Sequence, residues 1–185
     1  MDINTIGKKD GFIIRLAKAE DAPPYYEQNY CPLDKEVVRL TGSKETFTKE
    51  EVTSFFLKSI EKDDFYYFLI QSPEGRIIGE SIINEIDWDL RCANFRIALF
   101  HIKERGKGIG TWATKITRDY AFEKLKLHRL ELDVYSFNPR AEKAYKKAGF
   151  KREGVLRDTI MDGKNYADTI LMSILEDEWR AIKGI

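Results

Sequence analysis

The sequence predicts an α/β fold in one domain over residues 1–185. Three observations predict it. Seven segments of strand character are interleaved with helical ones in the order β-α-α-β-β-β-α-β-α-β-β. Successive strands around residues 72–75 and 87–91 are joined by turn-forming residues, the mark of antiparallel hairpins. Two strand-to-helix junctions carry glycine, proline or a capping side chain where such junctions need them.

The elements follow in order. Residues 12–16 form a first strand, and Glu20-Asp21-Ala22 with Pro23 and Pro24 opens a short helical region, because proline suits the first helical turn. Thr48-Lys49-Glu50-Glu51 starts a helix reaching about Ile60, with Glu51 in the capping-box position. Strands at 65–71 and 77–86 are joined by Ser72-Pro73-Glu74-Gly75, and the next hairpin turns near 87–91 into a strand at 93–100. A helix from Ile109 to about Lys126 buries Ile109, Trp112, Ala113, Ile116 and Tyr120 at helical spacing. In residues 129–135, Leu130, Leu132 and Val134 alternate with Glu131, Asp133 and Tyr135, the period of a half-buried strand. Asn138-Pro139 caps the next helix and Gly149-Phe150 stops it. Between them, Ala141, Ala144, Tyr145 and Ala148 share one face, where small residues permit close approach to a backbone or a ligand. Strands at 150–156 and 166–175 and an amphipathic tail after Glu176 complete the chain. No repeat, linker or low-complexity segment interrupts it.

The stretch 94–111 carries the strongest chemical signal. An apolar run ends in the basic glycine-rich loop Arg105-Gly106-Lys107-Gly108-Ile109-Gly110-Thr111, immediately before a helix. Glycines let the backbone turn tightly and approach a ligand, and the free N–H groups of a first helical turn favour an anion such as a pyrophosphate. The glycines alone fit a plain flexible connection equally well. A P-loop is excluded because Lys107 is followed by Gly108 rather than by Ser or Thr. Gly108-Ile109-Gly110-Thr111-Trp112-Ala113 satisfies the dinucleotide fingerprint, with Asp133 at the ribose-acid distance, so an oxidoreductase stays open as an alternative. Against it, His101 to Arg105 separate strand from glycines, where the fingerprint follows its strand directly.

Taken together, the two junctions resemble the GNAT superfamily of acyl-CoA-dependent N-acetyltransferases. Its signature Arg/Gln-x-x-Gly-x-Gly/Ala is matched at Arg105, Gly108 and Gly110, and its Asn-x-x-Ala-x-x-x-Tyr-x-x-x-Gly-Phe signature at Asn138, Ala141, Tyr145, Gly149 and Phe150. Glu153 to Asp158 and Asp162-Gly163-Lys164 look like the branch holding ribosomal-protein N-terminal and spermidine acetyltransferases. The resemblance implies a mixed, mostly antiparallel central sheet of about seven strands with helices on both faces, and acetyl-CoA bound between two splayed parallel strands. Backbone groups of Ala98, Leu99 and Phe100 would meet the pantetheine arm, and Arg105, Gly106, Lys107, Gly108, Ile109, Gly110 and Thr111 the pyrophosphate, with Asn138 also at the cofactor. It implies direct attack by an amine on the thioester, with Tyr145 as general acid and a carboxylate, Asp133 or Glu85, as base. A tyrosine on a helix face and a carboxylate on a strand are also ordinary packing and solvated residues. The acceptor pocket would draw on Tyr25, Tyr26, Tyr30, Trp88 and the Tyr166–Asp168 region, aromatic groups suited to a cationic amine.

Composition agrees. Thirty-one basic and thirty-one acidic residues give a formal net charge of zero, which argues against general nucleic-acid affinity. No apolar run approaches the ~20 residues of a membrane span and no secretory leader pattern opens the chain, so a cytoplasmic protein is expected. Cys31 and Cys92 lack metal spacing, and His101 and His128 pair with neither, so neither a metal nor a catalytic cysteine is expected. The expected partner is a small amine or a peptide N-terminus such as that of a ribosomal protein, bound by a monomer or homodimer. A non-catalytic acyl-CoA sensor is the alternative from another class.

Overall fold

The computed structural model describes residues 4–185. Its elements are β1 (Thr5–Lys9), β2 (Phe12–Leu16), α1 (Ala22–Asn29), α2 (Lys35–Thr41), α3 (Lys49–Ile60), β3 (Tyr66–Gln71), β4 (Ile77–Asp87), β5 (Cys92–Leu99), α4 (Ile109–Glu123), β6 (Arg129–Tyr135), α5 (Pro139–Lys147), β7 (Lys151–Asp162), β8 (Asn165–Leu175) and α6 (Glu176–Lys183). The strands form one sheet in the order β1-β2-β3-β4-β5-β6-β8-β7. Every neighbouring pair is antiparallel except β5 and β6. The mixed, mostly antiparallel sheet expected from the sequence is therefore present, with eight strands instead of seven.

Two elements were not legible. β1 is a short edge strand whose Gly7 stands against Ile14 and Ile116, where a Cβ would come within 2.9 Å of Ile14 Cγ2. Helix α2 starts at Asp34, whose Oδ1 accepts from the Glu36 and Val37 amides, and ends at Gly42 in the left-handed region. A third difference lies in β7, which runs past Leu156 to Asp162 because a register shift between Leu156 and Ile160, with Asp158 at φ 53°, bends the strand without ending its pairing to β8.

Helices cover both faces because alternate strand residues feed two cores. In β3, Phe68 and Ile70 pack with residues of α4, α5 and α6, whereas Tyr67 and Leu69 pack with residues of α1, α2 and α3. Buried Arg118 of α4 ties the first layer together: its Nη1 donates to the Ala148 carbonyl at the end of α5, and its Nε and Nη2 donate to Asp119. Asp119 also accepts from the Trp179 indole of α6 at 3.0 Å. Among the described residues no helix is long and apolar enough to cross a membrane.

β4 and β5 lie close at Gly79, opposite Leu99, where a Cβ would meet the Ala98 carbonyl oxygen at 2.5 Å. Backbone cannot move aside as a side-chain tip can. Gly79→Ala is expected to cost about 2 kcal/mol and lower the melting temperature by ~4–8 °C. Gly154→Ala, whose Cβ would meet nothing within 4 Å, serves as the control and should leave it unchanged.

Candidate active site

The parallel strands β5 and β6 pair at only three positions, Cys92–Arg129, Ala93–Leu130 and Asn94–Glu131. Beyond them β5 stays on β4 and β6 stays on β8, so the two strands part. A cavity of about 930 Å³ opens there, lined by both strands, the glycine loop, α5 and the α1–α3 layer. Main-chain N–H and C=O groups that would complete a sheet face this space and require other partners.

The β4–β5 ladder decides which groups those are. The Phe100 amide donates to the Ile78 carbonyl, and antiparallel pairing alternates, so Ala98 and Phe100 direct their main-chain groups to β4. Phe95, Ile97 and Leu99 direct theirs to the cavity. This corrects the expectation that Ala98, Leu99 and Phe100 all offer backbone to a ligand: only Leu99 does, and its carbonyl already accepts from Arg105 Nη2 at 3.2 Å.

The loop behind β5 has the conformation that glycine permits. Gly106 and Gly108 have φ of 80° and 81°, and Gly108 caps α4 with no side chain on the helix N–H groups. Gly110 is helical, and a Cβ there would meet only Leu99 Cδ1 at an ordinary 3.7 Å. The side chains of Lys107 and Ile109 turn away from the cavity, to Glu104 and into the core. Arg105 is not a surface charge: its side chain is 7 % exposed, its Nη2 lies 4.0 Å from Asp34 Oδ1, and its buried Nη1 has no partner among the described residues. Thr111 and Asn138 line the cavity, and Asn138 Oδ1 caps α5 by accepting from the Ala141 amide.

Tyr145 lies across the same space. It is 7 % exposed, held edge-on to Phe95 with ring centroids 6.3 Å apart, and it lines the cavity. Burial, and then the charge of Asp133, push its hydroxyl pKa up. Asp133 lines the cavity from the exposed side of β6. Glu85 does not line it. It is exposed at an irregularity of β4 with φ 54° and accepts from Asn84, whose Oδ1 in turn accepts from Asn94.

The expected acceptor residues divide. Tyr25 and Tyr30 line the cavity. Tyr26 stacks on Tyr30 outside it, Trp88 is 48 % exposed at the β4–β5 turn, and Tyr166 is 71 % exposed at the start of β8. In their place the structure brings Tyr67 and Glu80 to the cavity. The one signal for Glu80 was a carboxylate inside the apolar run Ile77-Ile78-Gly79-Glu80-Ser81-Ile82-Ile83.

A family model described as an acetyltransferase (GNAT) domain matches residues 12–151. The probable N-acetyltransferase YjcK of Bacillus subtilis is 31 % identical over 124 residues, 66 % of this chain and 68 % of that protein. Spermidine N(1)-acetyltransferase of Escherichia coli K12 is 30 % identical over 131 residues, 71 % of this chain and 69 % of that protein. Among solved structures, the ribosomal-protein-S5-alanine acetyltransferase of Vibrio fischeri superposes with a TM-score of 0.81 at 23 % identity, covering 96 % of this chain and 99 % of that one, a likeness of fold.

Because Gly106 and Gly108 are left-handed and Gly110 is not, substitutions should separate. Gly108→Ala forces a Cβ into a region that costs about 1–2 kcal/mol and should weaken coenzyme A binding, measured by calorimetry, about tenfold or more. Gly110→Ala should leave the melting temperature unchanged, so any loss of affinity there reports on space needed by the ligand.

Proposed function

The chain belongs to the GNAT acetyltransferase family, and on that premise we propose that it acetylates a primary amine by direct attack in a ternary complex. The observation that carries the reading is a buried tyrosine without a hydrogen-bond partner among the described residues, facing the gap where β5 and β6 part. The cofactor is acetyl-CoA, which when bound supplies the thioester carbon that the amine attacks.

The chain's own residues fit it. The cavity edge of β5 at Ile97 and Leu99 offers main-chain partners to an extended amide-bearing arm, and the open N–H groups at Gly108 to Thr111 suit a pyrophosphate. The unpartnered Arg105 Nη1 offers one further donor to that end. Arg140, Lys143 and Lys147 of α5 line the same side of the cavity and favour anionic groups.

Asp133 takes the base role in preference to Glu85, because it lines the cavity with Tyr145 and Glu85 does not. An ammonium with pKa ~10 must lose a proton before it attacks. Tyr145 holds its proton on Oη and directs it to the departing sulfur. Its raised pKa keeps that proton in place throughout the neutral and mildly alkaline range. The acceptor class is a small amine or a peptide N-terminus; spermidine and a ribosomal protein are what similar proteins are named for.

Release of coenzyme A thiol tests this, across polyamines, N-terminal ribosomal peptides, aminoglycosides and amino sugars. Tyr145→Phe should lower kcat by about 100-fold with the KM for acetyl-CoA little changed. Amine-independent behaviour with intact cofactor binding would point instead to a sensor. Asp133→Asn should slow the reaction near neutrality and recover as pH rises and the amine deprotonates by itself; an equal loss at every pH would remove the base role. Since the Tyr145 hydroxyl is raised above its ordinary ~10, the wild-type rate should show no alkaline decline from this group below that pH.

A further inference from the structure

Glu80 stands on β4 opposite Ala98, on the face covered by α1 and α3. Its Oε2 accepts from Tyr25 Oη at 2.5 Å and from Tyr67 Oη, and Tyr30 Oη is 3.1 Å from that of Tyr25. Both donating tyrosines are buried, and burial together with the nearby carboxylate raises their pKa values well above the ordinary one. They are permanent donors and cannot neutralise the carboxylate. Tyr67 Oη also lies 2.8 Å from Tyr25 Oη, so its one proton is shared between that oxygen and Oε2, and Oε2 is the carboxylate oxygen both tyrosines reach. Oε1 has no partner among the described residues and is not sealed off, and Glu80 lines the cavity. Lys44 and Arg96 also line the cavity, but neither pairs with Glu80, and the Lys44 ammonium lies 4.8 Å over the Phe47 ring. Among the described residues Glu80 forms no ion pair, and the Arg96 guanidinium lies instead over the Phe65 ring at 5.8 Å.

The surroundings are aromatic. Tyr25 and Tyr30 pack at 5.4 Å, each lies 5.7 Å from Phe100, and Phe47 meets Tyr30 edge-on at 5.4 Å. A partly buried anion normally has a charged complement, and aromatic faces around it attract cations. We propose that the free Oε1 of Glu80, beside Tyr25, Tyr30 and Phe100, binds a cationic ammonium group of the acceptor and so sets acceptor affinity. The inference rests on the acetyltransferase reading and assigns its amine a subsite. Tyr25 and Tyr67 are positioning residues, since they fix the carboxylate so that one oxygen is spent on them and the other points to the ligand.

The test is calorimetric binding of spermidine and of a peptide with a free N-terminal alanine to the coenzyme A-loaded protein, wild type and Glu80→Gln. The amide keeps an acceptor for the tyrosines and removes the charge. Amine affinity should fall at least ~10-fold, with coenzyme A affinity and melting temperature unchanged. Unchanged amine affinity overturns the assignment, and so does a loss of coenzyme A affinity in its place, which would give Glu80 to the cofactor arm. Failure of the wild type to bind either amine would overturn the amine-acetyltransferase reading as well. A comparison on the wild type alone covers the case of an unfolded variant: 1,4-diaminobutane should bind at least ~10-fold more tightly than 1,4-butanediol, and equal binding overturns the proposal.

Discussion

The early end of pairing between β5 and β6 is the constraint on which the rest depends. After Asn94 and Glu131 neither strand has the other, yet neither leaves the sheet, because β4 holds β5 and β8 holds β6 along their remaining lengths. Two antiparallel half-sheets are thereby hinged at three residues. The gap exposes main-chain hydrogen-bonding groups at Ile97 and the N–H of Leu99, whose carbonyl Arg105 already engages, and a ligand with amide groups is the natural replacement for the missing strand. The same divergence gives Tyr145 its setting, for α5 follows β6 and returns its ring edge-on to Phe95 of β5.

Charge is sorted along this gap although the chain as a whole has a formal net charge of zero. Arg105, Arg140, Lys143 and Lys147 approach from the loop and α5, whereas on the α3 and β4 side Glu51 is paired with Lys44 and Glu80 stands without an ion pair among the described residues. One end suits phosphates and the other suits an amine. Overall composition cannot report such a division, because the contributing residues are spread from α3 to α5 and cancel in the sum.

The legible parts of the site were those whose chemistry is local in sequence. Residues 94–111 and 129–150 each hold a complete junction, so spacing alone placed the loop, the cap at Asn138 and the helix face of Tyr145. Glu80 was hidden because its meaning comes from Tyr25 and Tyr67, which reach it from α1 and β3. Helix α2 is not legible in the sequence although Asp34 and Gly42 mark its ends; only seven residues lie between them, too few for a helical period to declare itself. That helix contributes Val37, Leu40 and Thr41 to the cavity wall, whereas Trp88 and Tyr166 stand exposed outside it.

Tyr145 and Asp133 pose opposite demands that the geometry reconciles. A strong acid would protonate the departing thiolate outright, but a carboxylate beside a buried hydroxyl makes it a weaker acid. Even at its ordinary pKa of ~10, a tyrosine giving its proton to a thiol of pKa ~8.5 works uphill by about 2 kcal/mol, and burial widens that gap. Full transfer is therefore the lesser part of its contribution. A hydroxyl that stays protonated is, however, a dependable donor, and its hydrogen bond to a sulfur gaining negative charge strengthens as the reaction proceeds. On the proposed reading the two effects of Asp133 follow one another: as a carboxylate it keeps the proton on Tyr145, and once it has taken the ammonium proton it is neutral and that hold relaxes as sulfur gains charge.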